Sequence, residues 1–455
     1  MSITRRHMLQ GTLALIGATG TFARPLQATP QAPLHDDVDV AIVGAGAAGL
    51  AAAHLLLQAG KRIAVLEARS RIGGRAFTDT SLGIPFDAGA RYIHWGETNP
   101  WTQIAQEQSL ALINDDALIN GFEIYRNGSP LPQDERIQRR RGFSLFSQAL
   151  KNVSQNGSDQ SLMDIVKNAS SEAHMAAQNM ARFSLGEEPE RVSLRDYDAL
   201  WAGDDWIVKG GYGALVARYG THIPVMRDCA LTHVRHNANG VTLDTSRGTL
   251  KARHVILTVP IGVLQAESIR FTPPLTKTFQ DALNGIQMGA LTKIALNCPL
   301  NSLPLARPDM IALRGNGSHE QALSLEFETH DTGVLALAIL GGDHARDVCR
   351  EGEAATLDLM RTVLADIFGN DLKTKISQQT SHGRLANWWN DPFTKGSYSI
   401  VKPHQTGIRE ALRQPMMNRL YYAGEATAST GGAMTVGGAT LEGIRAAQAV
   451  LTASS

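Results

Sequence analysis

Val38-Asp39-Val40-Ala41-Ile42-Val43 is a short apolar, β-branched run of the kind a buried parallel strand carries. Residues 47–59 follow as an Ala/Leu-rich helix ended by Gly60, and Arg62-Ile63-Ala64-Val65-Leu66-Glu67 reads as a second strand. Strand, turn, helix and strand in that order predict a parallel βαβ unit. From 101 to about 200 the pattern turns to helical periodicity with polar interruptions, clearest in 143–150 and 162–183, and Gln155-Asn156-Gly157-Ser158 reads as a loop. Tyr197, Trp201 and Trp206, followed by Gly210-Gly211-Tyr212-Gly213, read as packing and a tight turn back to the first domain. Strands are predicted within 223–234, 241–243 and 252–260, separated by Asn239-Gly240 and Arg247-Gly248. A second β-rich stretch covers 289–296, 322–327 and 333–340. An amphipathic helix over 353–368 ends at Gly369-Asn370, and a last strand at 420–423 leads to a closing helix over 436–451.

The first turn carries the chemistry. Gly44 permits its tightness, Gly46 lets a pyrophosphate approach bare backbone, and Gly49 allows helix to pack closely on sheet. The helix N-terminus then offers unpaired N–H groups to phosphate. Glu67 is placed to accept ribose hydroxyls, and its charge repels a 2′-phosphate. By itself this cradle admits NAD, NADP or FAD. Arg69-Ser70-Arg71-Ile72-Gly73-Gly74-Arg75 adds a second glycine pair, with Arg75 able to fork onto pyrophosphate oxygens. A nicotinamide enzyme does not need this second phosphate-reading loop.

With 455 residues and 43% hydrophobic content the chain can bury a large core, enough for two or three domains. Lys+Arg and Asp+Glu both number 43, so no overall charge points to nucleic acid or to an anionic membrane. Arg139-Arg140-Arg141 reads as a solvated face. Cys229, Cys298 and Cys349 give neither a disulfide framework nor metal-ligand spacing, and no metal site or nucleophilic triad is visible. At the N-terminus, Thr4-Arg5-Arg6-His7-Met8-Leu9-Gln10 precedes an apolar stretch at 11–23 too short to span a bilayer stably. Residues 1–28 resemble a twin-arginine export signal, which implies a periplasmic or otherwise exported protein. Their removal leaves 40 basic against 43 acidic residues.

Four segments stand in a telling order: 67–75, then Phe86-Asp87-Ala88-Gly89-Ala90-Arg91-Tyr92-Ile93-His94, then 388–399 from Trp388 to Gly396-Ser397-Tyr398-Ser399, then Tyr421-Tyr422-Ala423-Gly424-Glu425. They are similar to the patterns E-A-x-x-R-x-G-G-R, D-x-G-A-x-W-I-H, W-x-x-D-P-x-x-x-G-S-Y-S and Y-F-A-G-E of the flavin-containing amine oxidases, the family of monoamine and polyamine oxidases and lysine-specific histone demethylases. The resemblance spans about 38–451 and is weakest from 101 to 200. It implies an α/β fold: a Rossmann-like FAD-binding domain (36–90, 205–268 and 414–455) interleaved with an α+β substrate domain (91–204 and 269–413). This is the two-domain architecture shared with glutathione reductase. The implied FAD contacts are Gly44, Gly46, Ala48, Gly49, Glu67, Ala68, Arg69, Gly74, Arg75, Gly89, Ala90, Arg91, Tyr92, Trp388, Gly424, Glu425, Thr435 and Val436, with Leu231 touching the adenine side through its backbone.

The resemblance also assigns chemistry. Lys293, which alone would read as a strand-edge lysine that snorkels, becomes the lysine reaching flavin N5 through a water. Tyr398 forms one wall of an amine cage and orients the lone pair. Thr435 stands where monoamine oxidases carry the second cage tyrosine, which tilts the likeness towards polyamine oxidases and histone demethylases. His94 falls where animal polyamine oxidases have a histidine near the substrate nitrogen, although a lone histidine is equally a structural one. Ser397 replaces the cysteine that bonds the flavin in mitochondrial monoamine oxidases, so FAD is expected to be non-covalent. The helix N-terminus at Val436 would stabilise negative charge on the reduced pyrimidine.

The implied reaction oxidises a small-molecule amine, a polyamine or a primary or secondary monoamine, by hydride transfer to N5. Imine hydrolysis and reoxidation by O2 to H2O2 follow. Other readings are an L-amino-acid oxidase, for which Arg91 lies one residue short of that subfamily's arginine, and an amine dehydrogenase using a periplasmic electron acceptor. A non-catalytic flavin-bound scaffold is the last, and the presence of Lys293 and Tyr398 argues against it.

Overall fold

The computed structural model describes residues 37–115, 123–154, 158–300, 302–303, 310–315, 321–378, 383–429 and 431–453. The expected export signal at 1–28, and 155–157 of the expected loop, lie outside the described residues.

The βαβ unit forms as its pattern predicts: Val38–Val43 pairs in parallel with Ile63–Leu66 across the helix Ala47–Gln58. Gly44 sits at φ +104°, and a Cβ there would meet Thr258 Oγ1 at 2.4 Å, so the turn requires glycine twice over. On the other flank, the strand Gly248–Leu257 changes partners along its length. Its first half pairs antiparallel with Gly240–Thr245, and its second half lies parallel between Val38–Val43 and Leu420–Tyr422. A parallel nucleotide-type sheet is thereby fused to a small antiparallel meander in one eight-stranded sheet.

The helix Val436–Ala453 closes this sheet by packing on the first helix. A Cβ on Gly443 would lie 2.0 Å from the Ala48 carbonyl oxygen, which shows how close the two backbones run. Ala446, Ala447 and Val450 are fully buried in the same cluster as Leu50 and Ala53, and a buried Val or Leu contributes about 1.5–3 kcal/mol each.

A second sheet of seven strands has the order Gly383–Leu385, Leu291–Cys298, Gly333–Gly341, Gln321–His330, Met310–Arg314, Glu123–Arg126, Ser129–Pro130. Its third strand, Gly333–Gly341, is buried throughout, and its side chains alternate between two cores. Ala336, Ala338 and Leu340 meet Val348, Met360 and Leu364 of the helices behind. Leu335, Leu337 and Ile339 face Ile84, Phe86 and Trp388 in front. Lys293 is paired with Ile339, and the helix Glu353–Phe368 has the bounds its periodicity predicts.

The polar helices Gly342–Glu351 and Asn370–Gln378 were not legible in the apolar pattern. Residues 162–183 form a 3-10 turn, Asp164–Val166, the helix Ser171–Met180 and a single π turn, Ala181–Leu185, stopped by Gly186 at φ +62°. Among the described residues no helix is long and apolar enough to cross a membrane. Cys229, Cys298 and Cys349 are buried and free.

Candidate active site

The two glycine loops lie backbone to backbone. Gly73 N–H donates to the Ala45 carbonyl at 2.8 Å, Gly46 and Gly73 form a parallel bridge, and a Cβ on Gly74 would come within 3.3 Å of Gly46 Cα. Glu67 closes the same corner: Oε2 accepts Ala45 N–H at 2.8 Å and Oε1 accepts Arg69 N–H at 2.9 Å. Burial still pushes its carboxyl above the usual range. Arg71 lies 3.9 Å over the Phe77 ring and donates to the Gly74 carbonyl; burial, then Arg69, bring it down to about 10.

From this cradle a cavity of about 900 Å³ extends to the second sheet. Every candidate from the sequence borders it except Gly49, including Ala48, Ala68, Leu231, Gly424 and Val436. Gly49 serves packing instead, because a Cβ there would fall 1.9 Å from the Gly44 carbonyl oxygen.

Two arginines depart from the sequence reading. The Arg75 guanidinium, expected on a pyrophosphate, donates to the Ser397 carbonyl at 2.8 Å and to Glu425 at 3.0 Å, so it ties the first glycine loops to the closing motif. Glu425 in turn accepts the Ser399 hydroxyl at 2.6 Å. Arg91, considered for a substrate carboxylate, is buried with Nε 3.0 Å from Glu326 and Nη2 against Glu328. Both partners come from the strand Gln321–His330, and Tyr92 donates its hydroxyl to Glu326 at 3.0 Å.

Lys293 does not snorkel. Its strand, Leu291–Cys298, is paired on both sides, and the side chain is only 5% exposed. Nζ donates to the carbonyls of Asp87 at 2.9 Å and Gly89 at 2.7 Å. Burial, then the Arg91 charge, lower its pKa to about 8 against the opposing pull of Asp87, Glu326 and Glu328. The Asp87 carboxylate itself accepts the N–H groups of Tyr212 and Gly213, at the start of the helix Tyr212–Tyr219.

The remaining candidates are held as firmly. Tyr398 donates its hydroxyl to the Ser184 carbonyl of the π turn at 3.1 Å, and burial raises its pKa. The Ser397 hydroxyl donates to the Gly289 carbonyl and accepts Leu291 N–H, both at 3.0 Å. Trp388 donates to the Ala88 carbonyl at 2.8 Å. His94 Nδ1 lies 2.8 Å from Asp205, with its ring half-exposed at the cavity. Thr435 accepts Gly438 N–H and so caps the closing helix.

Tyr197 and Trp201, read from sequence as packing, also border the cavity; Trp206 is not among its lining residues. Trp201 is 42% exposed and stands edge-on to Trp95, ring centroids 5.0 Å apart. A Cβ on Gly431 would meet the Trp201 indole at 2.3 Å, so the glycine makes a seat for the ring. Trp95 and Met434, both on the cavity wall, occupy the left-handed region at φ +43° and +65°, a conformation that clusters at functional sites. The pair Gly431-Gly432 beside Thr435 was the available sequence signal. Among the described residues no group of three or more His, Cys, Asp or Glu could hold a metal.

Residues 47–451 match the family described as flavin containing amine oxidoreductase. The chain belongs to that family. It is 28% identical to Lysine-specific histone demethylase 1 homolog 2 of Oryza sativa subsp. japonica, covering 96% of this chain and 60% of the relative. With Lysine-specific histone demethylase 2 of Homo sapiens the figures are 25%, 91% and 54%. The chain thus spans little more than half the length of these relatives. Polyamine oxidase 4 of Oryza sativa subsp. japonica is 28% identical over 90% of this chain and 87% of its own. A putrescine oxidase solved as wild type bound to putrescine shares the fold, with TM-score 0.73 and 19% identity over 91% of this chain and 99% of that one.

The cavity fits the flavin dinucleotide of this family. Gly46 lines the cavity, and a Cβ there would meet nothing nearer than Gly74 Cα at 3.9 Å, so backbone stands bare where a phosphate would approach. The buried Glu67 carboxylate stands at the end of the second strand, where a ribose would lie.

Proposed function

We propose that the chain binds FAD non-covalently in this cavity and oxidises an amine there. One observation carries the reading: the buried Lys293 ammonium and the glycine cradle share one cavity, although their residues lie more than two hundred positions apart. When bound, the flavin would supply the two-electron redox chemistry. Gly44, Gly46, Glu67, Gly74 and Leu231 would hold the dinucleotide, and Gly89, Lys293, Trp388, Thr435 and Val436 would surround its ring. Lys293, with its lowered proton affinity, holds or releases a proton at Nζ. The walls of Phe183, Leu185, Tyr398 and Trp201 favour an uncharged amine over ammonium by desolvation. In sum, the amine, O2 and water would give a carbonyl compound, a smaller amine or ammonia, and H2O2. Both Lys293 partners are carbonyls, so two of its three N–H protons are engaged without a direct ion pair.

The amino-acid oxidase reading is disfavoured, since the Arg91 fork is engaged by Glu326 and Glu328. Export through the twin-arginine route belongs to the same proposal and rests on Arg5 and Arg6 with the apolar stretch after them. Replacing both with lysine should abolish export of the folded protein.

The purified protein should be yellow and should release flavin into the supernatant on acid precipitation. Colour remaining with the pellet would reject non-covalent binding. Polyamines, arylalkylamines and L-amino acids should then be screened for peroxide release and, in parallel, for reduction of an artificial acceptor. Bleaching by an amine with acceptor but no peroxide would select the dehydrogenase; no bleaching by any amine would reject amine oxidation.

A further inference from the structure

Arg91 has no place in the chemistry above, yet it is a buried cation beside a buried lysine. The segment 87–92 is fastened to the second sheet twice. Lys293 reaches it from Leu291–Cys298 through the carbonyls of Asp87 and Gly89, and Glu326 and Glu328 of Gln321–His330 grip Arg91 and Tyr92 just beyond. Pairing runs Lys293 to Ile339 and Ile339 to Ser324, so Glu326 and Glu328, at steps of two along that strand, project from the same face as Lys293. Arg91 Nε faces Glu326 Oε2 at 3.0 Å without the geometry of a hydrogen bond, so that contact is one of charge. Glu328 also lies 3.4 Å from His330.

We propose that Arg91 is the positioning residue for Lys293: clamped by Glu326 and Glu328, it sets a fixed positive charge beside the ammonium and keeps the lysine in its carbonyl cradle. The charges that act on Lys293 are those of Asp87, Arg91, Glu326 and Glu328, with the Tyr92 hydroxyl bonded to Glu326. The adjoining strand Gly333–Gly341 carries no titratable side chain, and Arg384 of Gly383–Leu385 turns to Ser81 and Glu353. The two carboxylates hold Arg91 in place and partly offset it, so removing the arginine and removing a carboxylate must move the lysine in opposite directions. This deepens the flavin reading, because Lys293 is the proton-bearing group assigned there.

The test is direct titration of Lys293 in the purified holoenzyme carrying [13Cε]lysine, its resonance identified as the one missing from Lys293→Met. Arg91→Met should raise the midpoint by about one unit or more, a roughly tenfold gain in proton affinity, and Arg91→Lys should return it towards wild type. Glu326→Gln should lower it. Glu328→Gln, at a partly exposed carboxylate, should lower it too and serves if Arg91→Met fails to fold. Unchanged midpoints, or shifts of one sign for arginine and carboxylate variants, would overturn the proposal. The resonance reports proton affinity whether or not any amine is oxidised, so failure here is distinct from failure of the functional reading.

Discussion

The Glu67 carboxylate accepts the N–H of Ala45 at 2.8 Å, so the acid that ends the second strand also pins the turn after the first. Hydrogen bonds to a charged group contribute about 1.5–3 kcal/mol. Glu67→Gln should therefore weaken flavin retention roughly 10- to 100-fold while leaving the βαβ core folded. Flavin content after gel filtration, with circular dichroism on the same sample, checks this; undiminished flavin would remove Glu67 from the cofactor site.

Lys293→Met should keep the yellow colour and lose turnover on the order of 10²-fold, the lower range for a positioned proton-transfer group. Stopped-flow traces of flavin reduction and reoxidation will show which half-reaction is slowed. Wild-type kinetics in both would leave Lys293 a purely structural bridge.

Lys293 also couples stability to pH. Folded, it loses its proton above about 8, whereas the unfolded chain keeps it to the ordinary value of 10.5. Between those limits the unfolded state binds more protons, so folding gains as pH rises, and below about 8 the cost is present in full. The gain amounts to about 3 kcal/mol for this fully buried group. Urea unfolding at pH 7.5 and pH 10 should show an increment in wild type that Lys293→Met lacks. The same pH response in both proteins would contradict it.

Gly443→Val should destabilise by at least about 1–3 kcal/mol, the range for overpacking a tight contact, because any Cβ there runs into the Ala48 carbonyl oxygen at 2.0 Å. The urea midpoint should fall with the slope unchanged, and bound flavin should fall with it. A midpoint equal to wild type would show that the two helices can part without cost.

Trp201→Ala should raise KM for the preferred amine several-fold and change kcat little, since the ring borders the cavity and is too exposed to carry much of the core. A large loss of kcat with KM unchanged would place the ring closer to the reacting atoms than its position suggests.

Legibility followed the physics of each segment. Helix Glu353–Phe368 and strand Val38–Val43 were readable because one apolar period decides each. Helix Gly342–Glu351 was not, since half of its residues are charged and its buried Arg346 pairs with Glu187, a partner 159 positions away. The cavity residues were readable by type and motif order. Their side-chain commitments were hidden: Arg75 and Arg91 are claimed by carboxylates from strands and loops far along the chain, and no local spacing announces such a pairing. Trp201 does pack, on Trp95 and Gly431, and its place on the cavity wall was hidden for the same reason.

The change of partners along Gly248–Leu257 bears on how the molecule assembles. Half of that strand can be satisfied early by the adjacent meander, while its other half waits for Leu420–Tyr422, more than 160 positions later. Such distant pairing is slow, because chain closure must precede any gain from contact. During synthesis the meander can therefore form as a local unit, whereas the cavity stays open on the side of Gly424, Thr435 and Val436. The cavity is thus complete only once the last segment to be synthesised has joined the sheet, so flavin capture has to follow that step.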